Sequence, residues 1–199
     1  MGFSMNDTAS TLVIFHYCHS HERILAFLET LSDRELRWRL NATTHSIAFH
    51  AWHIARWADY FQACVPAMTA ELSKRLPPGE EIWLKEGLSK QWQFSSAQLG
   101  YADTGMQMPD EAAMDLPFPA KPILLDYIRM AFAAAEGAAR AIDDEQLLSA
   151  EQPQPKTEGV WGEATVGDAV MTHIIHDSRH RGMIECLLGL QGRPGTSTA

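Results

Sequence analysis

Three histidines stand within eight residues near the C-terminal end of this 199-residue chain. They are His173, His176 and His180, and their spacing of three and four residues is that of one helical face. Apolar residues continue the same spacing on both sides: Val166, Val170, Ile184, Leu187 and Leu188. The pattern therefore predicts a helix whose histidines lie on the face that packs into the core.

His176 and His180 have the spacing at which two imidazoles on one helix can bind one metal ion. A single histidine on an apolar face is usually an ordinary core residue. Burying several without partners costs on the order of 1 to 3 kcal/mol each, whereas a divalent metal would satisfy them together. The sequence contains no HExxH motif and no histidine three residues after a glutamate, so the third ligand has to come from elsewhere in the chain.

A second histidine pair lies on a helix predicted to start near Thr43 or Thr44 and to end at Pro66. His50 and His53 are three residues apart on its inward face, and the spacing leaves both open as the third ligand. They share that face with aromatic and apolar residues: Ile47, Trp57, Tyr60, Phe61 and Cys64. We interpret the aromatic residues as core packing, with a substrate-binding box as the alternative.

Two more helices are predicted, from about Thr8 to Thr30 and from Ile123 to about Ile142. In the first, His21 is a candidate for the interior. The inward face of the other is nearly all alanine, which either permits close helix packing or leaves room beside the histidines for a small ligand. Between them, residues 67–120 are rich in glycine and proline and should form a crossover with short helical pieces, near residues 80–88 or 111–114.

Four amphipathic helices predict an all-α protein, a four-helix bundle. The long crossover lets the second and third helices run parallel, which gives up-down-down-up order and lets the two histidine pairs meet inside. We expect residues 1–192 to form one domain and residues 193–199 to be a disordered tail.

The net charge of −9 and a pI near 5.4 argue against nucleic acid or an anionic membrane as the main partner. Three cysteines without CxxC spacing indicate neither a disulfide framework nor a zinc knuckle. We expect no signal peptide, because the N-terminus lacks a basic start followed by an apolar run. No apolar run in the sequence is long enough to span a bilayer. We therefore expect a cytoplasmic protein that acts on a small molecule.

Two motifs and the end of the last helix resemble the DinB-like (DinB/YfiT) family of metalloenzymes. They are Ser-Ile-Ala-Phe-His-Ala-Trp-His-Ile-Ala-Arg at residues 46–56, His-Asp-Ser-Arg-His-Arg-Gly at residues 176–182, and Leu-Gln-Gly at residues 190–192. The similarity covers most of the chain in helix order. In that family a histidine of the second helix and an HxxxH pair of the fourth bind the metal, which implies His53, His176 and His180 as ligands. His50 and His173 fall outside that pattern and are expected to support the ligands.

The resemblance also implies a divalent metal, nickel or zinc, and a homodimer. In characterised branches it implies transferases or isomerases that use a small thiol such as bacillithiol or mycothiol. A metal-dependent hydrolase, or a non-catalytic metal- or ligand-binding bundle, is the alternative. Asp59 and Asp177 are the nearest acidic candidates for a general base, but both are interpreted as exposed or helix-pairing carboxylates. Arg56 and Arg179 are candidates for binding an anionic group of the substrate.

Overall fold

The structure, a computed structural model, describes residues 8–95, 98–150 and 165–194. These residues form α-helices and connections and contain no strand, which confirms the predicted all-α class. The helices are α1 (Ala9–Glu29), α2 (Asp33–Arg37), α3 (Ile47–Met68), α4 (Ala70–Arg75), α5 (Ile82–Lys85), α6 (Leu88–Gln91), α7 (Asp110–Met114), α8 (Lys121–Ala139), α9 (Asp144–Leu147) and α10 (Val166–Leu190). Four of these, α1, α3, α8 and α10, correspond to the four predicted helices.

Helix α3 lies at the centre of the described part of the chain. It contacts α8 and α10, and both of these also contact α1. Every residue from 47 to 61 of α3 is buried, so this helix has no solvent-exposed face along that length. A helix that is buried all round has to place its polar residues against partners inside the protein.

The bounds of α3 differ from the prediction at both ends. The helix begins at Ile47, because the Ser46 side chain accepts a hydrogen bond from the Phe49 backbone N–H and caps it. At the other end, Pro66 lies inside the helix, which continues to Met68, so the predicted stop is wrong. A proline in a helix interior costs about 3 kcal/mol, and the burial of Pro66 and Met68 against the core offsets that cost.

The other long helices lie close to their predicted bounds. Thr8 and Thr165 cap α1 and α10 with their side chains, and α10 ends at Leu190. In α8 the small residues Ala131, Ala135 and Ala139 are fully buried, and their face packs against neighbouring helices. This confirms close helix packing as the role of the alanines.

The crossover between α3 and α8 contains short helices and a long irregular segment. Helices α5 and α7 form at the two positions predicted for helical pieces. Trp83, Trp92 and Phe94 are buried and anchor the crossover to the core. The charged segment that follows α1, residues 32–38, contains the capped helix α2. Residues 195–199 of the predicted tail lie outside the described residues.

None of the helices in the described ranges combines the length and apolar character that crossing a bilayer requires.

Candidate metal centre

The three histidines predicted as metal ligands lie together. Helix α3 supplies His53, and α10 supplies His176 and His180 one turn apart. One ring nitrogen from each lies within 4.8 Å of the others. The His53 Nε2 atom is 3.0 Å from His176 Nε2, and the His180 ring centroid lies 4.6 Å from that of His53 and 4.4 Å from that of His176. The group could hold a metal ion.

The separation of the His53 and His176 nitrogens, and the protonation of His53 and His180, both fit a divalent cation. Two imidazole nitrogens that each lie about 2.0–2.1 Å from one ion are roughly 3 Å apart. Burial, and then the neighbouring His176, lower the pKa of His53 to about 3. Burial, followed by His53 and His176, lowers the pKa of His180 to about 2. Both rings are therefore neutral at pH 7, which is the form that binds metals.

A backbone carbonyl fixes the orientation of His53. Its Nδ1–H donates a hydrogen bond to the Thr104 carbonyl oxygen, which lies in the crossover. Because Nδ1 carries the proton, the lone pair is on Nε2, the atom that faces His176. A hydrogen bond of this kind on the far ring nitrogen is the usual support of a metal-binding histidine.

His50 supports His180 in a similar way. The two Nδ1 atoms are 3.0 Å apart, and burial, followed by the charge of His45, lowers the pKa of His50 to about 4. A hydrogen bond from His180 Nδ1–H to His50 Nδ1 leaves the Nε2 lone pair of His180 for a metal. His50 thus contacts a candidate ligand, as predicted.

Asp177 lies beside the third ligand candidate. It is 2% exposed, and its Oδ1 atom is 3.7 Å from His176 Nδ1. Its Oδ2 atom is 3.4 Å from Nε2 of the fully buried His21, whose Nδ1 is 3.3 Å from Glu136 Oε1. Burial raises the pKa of Asp177, but His176 and His21 lower it to a net value of about 2. Of the two interpretations of Asp177, exposed or helix-pairing, the structure excludes the exposed one, and Asp177 pairs with His21 of α1. The interior position of His21 is confirmed.

The His21 side chain is held between two carboxylates and an aromatic ring. It stacks on Phe132 with ring centroids 3.9 Å apart. Burial lowers the pKa of His21, but hydrogen bonds to Asp177 and Glu136 outweigh this, and the net pKa is raised. A continuous series of polar groups therefore links the candidate site on α10 to α1 and α8.

The Thr104 carbonyl belongs to a tightly folded segment, residues 100–108, which we call the site loop. Left-handed backbone angles occur at several of its positions: Gly100, Ala102, Asp103, Gly105 and Gln107. For residues other than glycine such angles are unfavourable, and they persist only where surrounding contacts impose them. Gly105 packs so closely that an added Cβ would lie 2.9 Å from the Trp52 ring and 3.2 Å from His53 Nδ1.

Replacing Gly105 with alanine should weaken metal binding about tenfold to a hundredfold, the range seen when the support of a ligand is lost. The added methyl group would push the site loop away from Trp52 and His53 and disturb the Thr104 hydrogen bond. Metal affinity, measured by competition with a chromophoric chelator, tests this. Gly87→Ala is the matched control, because Gly87 is also left-handed but an added Cβ there meets nothing within 4 Å. Equal affinities of the two variants would contradict the role of the loop.

Arg56 clamps the site loop to α3. It is fully buried, and its Nε and Nη2 atoms donate to the carbonyl oxygens of Asp103 and Ala102 at 2.9 and 3.0 Å. Its remaining N–H groups bind Asp59 at 2.9 Å, Tyr127 at 3.1 Å and Glu81 at 2.6 Å. All five donors of the guanidinium are used, so the hypothesis that Arg56 binds an anionic substrate is wrong.

Asp59 is part of this buried network and does not face the histidines. It is 0% exposed, and its carboxylate accepts hydrogen bonds from the backbone N–H groups of Ile82 and Trp83 at 2.9 and 2.8 Å. Of the two interpretations of this carboxylate, exposed or helix-pairing, the second holds, because Asp59 pairs with Arg56 three residues earlier on α3. Arg179, in contrast, is exposed on α10, and its interaction with a substrate stays a prediction.

A cavity of about 330 Å³ opens beside the three histidines. The described residues that line it are His53, Trp57, Met106, Thr172, His173, His176 and His180. Helix α8 contributes none of them, so the suggestion that its alanines leave room for a ligand beside the histidines is wrong. None of these residues carries a carboxylate, and the exposed Thr172 marks the side where the cavity meets solvent.

Two groups that support the candidate metal ligands were not identified as such from the sequence. The Thr104 carbonyl is a backbone group, and its only sequence signal is the pair of glycines, Gly100 and Gly105, around it. Asp177 had a clearer signal, since it lies four residues after His173 on the inward face of the same helix. A carboxylate at such a position indicates a partner inside the protein.

An all-helical fold that brings together one buried and two half-buried histidines defines the chain as a helical protein that could bind metal. The DinB superfamily model matches residues 17–184, which include all three histidines. The chain therefore belongs to the DinB superfamily.

The comparison with solved structures supports the fold. The crystal structure of the conserved protein of locus from Enterococcus faecalis matches with a TM-score of 0.62 over 91% of this chain and 95% of that chain, at 18% sequence identity. This likeness shows a shared fold and carries no information about activity. No curated protein matches the sequence.

Proposed function

We propose that His53, His176 and His180 bind one divalent metal ion, nickel or zinc, and that the protein is a metal-dependent enzyme. The reaction we propose is a transfer or isomerisation that uses a low-molecular-weight thiol as co-substrate. The observation that carries this proposal is the convergence of three imidazoles on one wall of an open cavity. Catalytic sites of this type use three protein ligands and leave further positions to substrate.

Support for the ligand assignment comes from the far side of each imidazole. His53 donates a hydrogen bond to the Thr104 carbonyl oxygen, and His180 is within hydrogen-bond distance of His50. His176 lies at a longer distance, 3.7 Å, from the Asp177 carboxylate. These contacts leave one nitrogen of each ring directed at the shared centre, as metal-binding histidines usually require.

The chain's own residues favour thiol chemistry in two ways. The ligand set consists of nitrogen atoms alone and would leave the full double charge on the ion, which, once bound, favours an incoming thiolate over the protonated thiol. Hydrolysis is the nearest rival, because a bound ion also activates water. The described residues that line the cavity include no carboxylate to act as a general base for water, which favours the thiol.

Contacts between the long helices support the four-helix bundle in up-down-down-up order. The contacting pairs His21–Glu136 and Glu29–Arg129 are those of antiparallel helices, α1 and α8. The pairs His50–His180 and His53–His176 likewise fit an antiparallel arrangement of α3 and α10. The pairs Tyr17–His173 and His21–Asp177 fit a parallel arrangement of α1 and α10. This topology brings the second and fourth long helices together at the proposed metal site.

The same proposal places the protein in the cytoplasm with a small-molecule substrate and no nucleic-acid or membrane partner. The three cysteines of the described residues, Cys18, Cys64 and Cys186, form no disulfide with one another, as expected in a reducing compartment. The predicted homodimer would cover exposed apolar side chains of α10, namely Met171, Ile175, Met183 and Leu190.

A fluorogenic assay tests the proposed chemistry. Metal-loaded protein would be offered monochlorobimane with bacillithiol, mycothiol, glutathione or no thiol. We expect conjugation that depends on both the thiol and the metal and that disappears in His180→Ala, because the substitution removes one ligand while leaving the cavity open.

Each other outcome identifies an alternative. Tight metal binding without turnover of any thiol would contradict the enzyme and indicate a non-catalytic metal-binding module. Metal-dependent cleavage of ester or amide substrates that needs no thiol would indicate a hydrolase.

A further inference from the structure

On the basis of the proposed metal site, we infer the class of ligand that the cavity accepts. The part of the ligand that lies beside the histidines is an uncharged apolar group, preferably an aromatic ring, joined to a single metal-binding atom. Charged groups of the ligand remain outside the cavity, on the solvent side marked by Thr172.

One wall of the cavity is the Trp57 indole. It is 5% exposed, and its ring centroid lies 6.0 Å from that of His176 and 6.4 Å from that of His53. Tyr101 of the site loop packs parallel to the indole at 6.2 Å and holds it in place. A ligand attached at the histidines would therefore lie within reach of a fixed aromatic surface, and aromatic groups pair favourably at such distances.

The site loop supplies a second apolar wall, Met106. Its backbone carbonyl accepts a hydrogen bond from the Tyr101 N–H at 2.9 Å, which closes the loop beside the cavity. A thioether is flexible, polarisable and uncharged, and it makes favourable contacts with the edge of an aromatic ring. Trp57 and Met106 together fit a flat apolar group, and the polar body of a thiol co-substrate such as bacillithiol would lie outside the cavity, on the solvent side.

The described residues that line the cavity offer nothing to neutralise a second charge on the ligand. Apart from the histidines, its described lining consists of Trp57, Met106 and Thr172. The Thr172 hydroxyl donates its hydrogen to the Asp168 carbonyl at 2.8 Å, so only its lone pairs can face a ligand. Burying an additional charge there without a partner would be unfavourable. The volume of about 330 Å³ lies near the lower limit for small-molecule sites and suits one ring.

Binding of three thiols to the cobalt(II)-substituted protein tests this inference. Benzyl mercaptan has an aromatic body, 2-mercaptoethanol a small polar one, and glutathione a charged one, while all three bind metal through sulfur. Titrations would follow the sulfur-to-cobalt charge-transfer absorption. We expect benzyl mercaptan to bind about tenfold more tightly than 2-mercaptoethanol, or better, and glutathione to bind no more tightly than 2-mercaptoethanol.

Two substitutions of cavity residues test whether the cavity causes the tighter binding of benzyl mercaptan. Met106→Ala and Trp57→Leu should each lower the advantage of benzyl mercaptan severalfold while leaving the affinity for 2-mercaptoethanol nearly unchanged. Met130→Ala is the matched control, because Met130 is exposed on α8 and does not line the cavity. Should Trp57→Leu fail to fold, Met106→Ala on the half-buried loop decides the question.

The outcomes separate this inference from the proposed function. Equal binding of the three thiols, tighter binding of glutathione, or an aromatic preference that survives in Met106→Ala would overturn the inference while the cobalt spectrum still supports the metal site. Failure of cobalt to produce the ligand-field spectrum of a histidine site would overturn the proposed metal site and this inference with it.

Discussion

Alanine at His176 should reduce the metal content of the protein from about one ion per chain to a small fraction of that. The substitution removes one of the two α10 nitrogens and leaves two candidate ligands, one from each helix. The loss in affinity should exceed the tenfold to hundredfold effect of removing a supporting contact. The helical signal should persist, because the core elsewhere is built from aliphatic and aromatic side chains.

Elemental analysis of protein purified without added metal, followed by an occupancy titration, measures this effect. His53→Ala and His180→Ala should behave like His176→Ala, whereas His50→Ala should weaken binding without abolishing it. His16→Ala is the matched control, because His16 is an exposed histidine of α1. If all three ligand variants bind metal as well as the parent protein, the assignment is wrong.

Helical periodicity predicted the long helices and the inward position of the three candidate ligands. The reason is that His53, His176 and His180 share helical faces with apolar residues, and a face that is mostly apolar has to be buried. The same reasoning identified His21 as a candidate for the interior. Near the ends of helices it was less accurate, as Ser46 and Pro66 show, because caps and tertiary packing decide where a helix starts and stops.

Burial of Arg56 and Asp59 was not predictable from local spacing. Asp59 is stabilised by Trp83 and Tyr127, which lie 24 and 68 residues further along the chain. Arg56 is satisfied partly by backbone carbonyls of the site loop, which have no side-chain signature in the sequence. Spacing within α3 could place both residues on a helix, but the partners that allow their burial become adjacent only in the folded chain.

Acidification should unfold the metal-free protein between about pH 6 and pH 4. Burial lowers the pKa of His50 to about 4, and those of His53 and His173 to about 3, whereas an unfolded imidazole has a pKa of about 6.5. Between these values the unfolded chain binds protons that the folded protein does not. The free energy of unfolding therefore falls as the pH falls through this window.

The expected effect is comparable to the total stability of a domain. At pH 4.5 each of the three histidines would cost about 3 kcal/mol, or roughly 8 to 9 kcal/mol together, against a typical stability of about 5 to 15 kcal/mol. His21 acts in the opposite direction, because its raised pKa contributes stability that is fully present below pH 6.5 and is lost as the pH rises through its folded pKa. The stability contributed by His21 only partly offsets the stability lost through the other three histidines.

Far-UV circular dichroism as a function of pH measures the transition, and His173→Phe tests its cause. His173 is 3% exposed and packs against the Phe61 and Trp57 rings, at 4.6 and 6.3 Å, so a phenylalanine of similar size can take its place. Because phenylalanine cannot be protonated, the variant should unfold at a lower pH than the parent protein. His16→Phe, which changes an exposed histidine, should leave the midpoint unchanged. A parent protein that stays folded at pH 3.5, or equal midpoints for the two variants, would show that buried neutral histidines do not control acid stability.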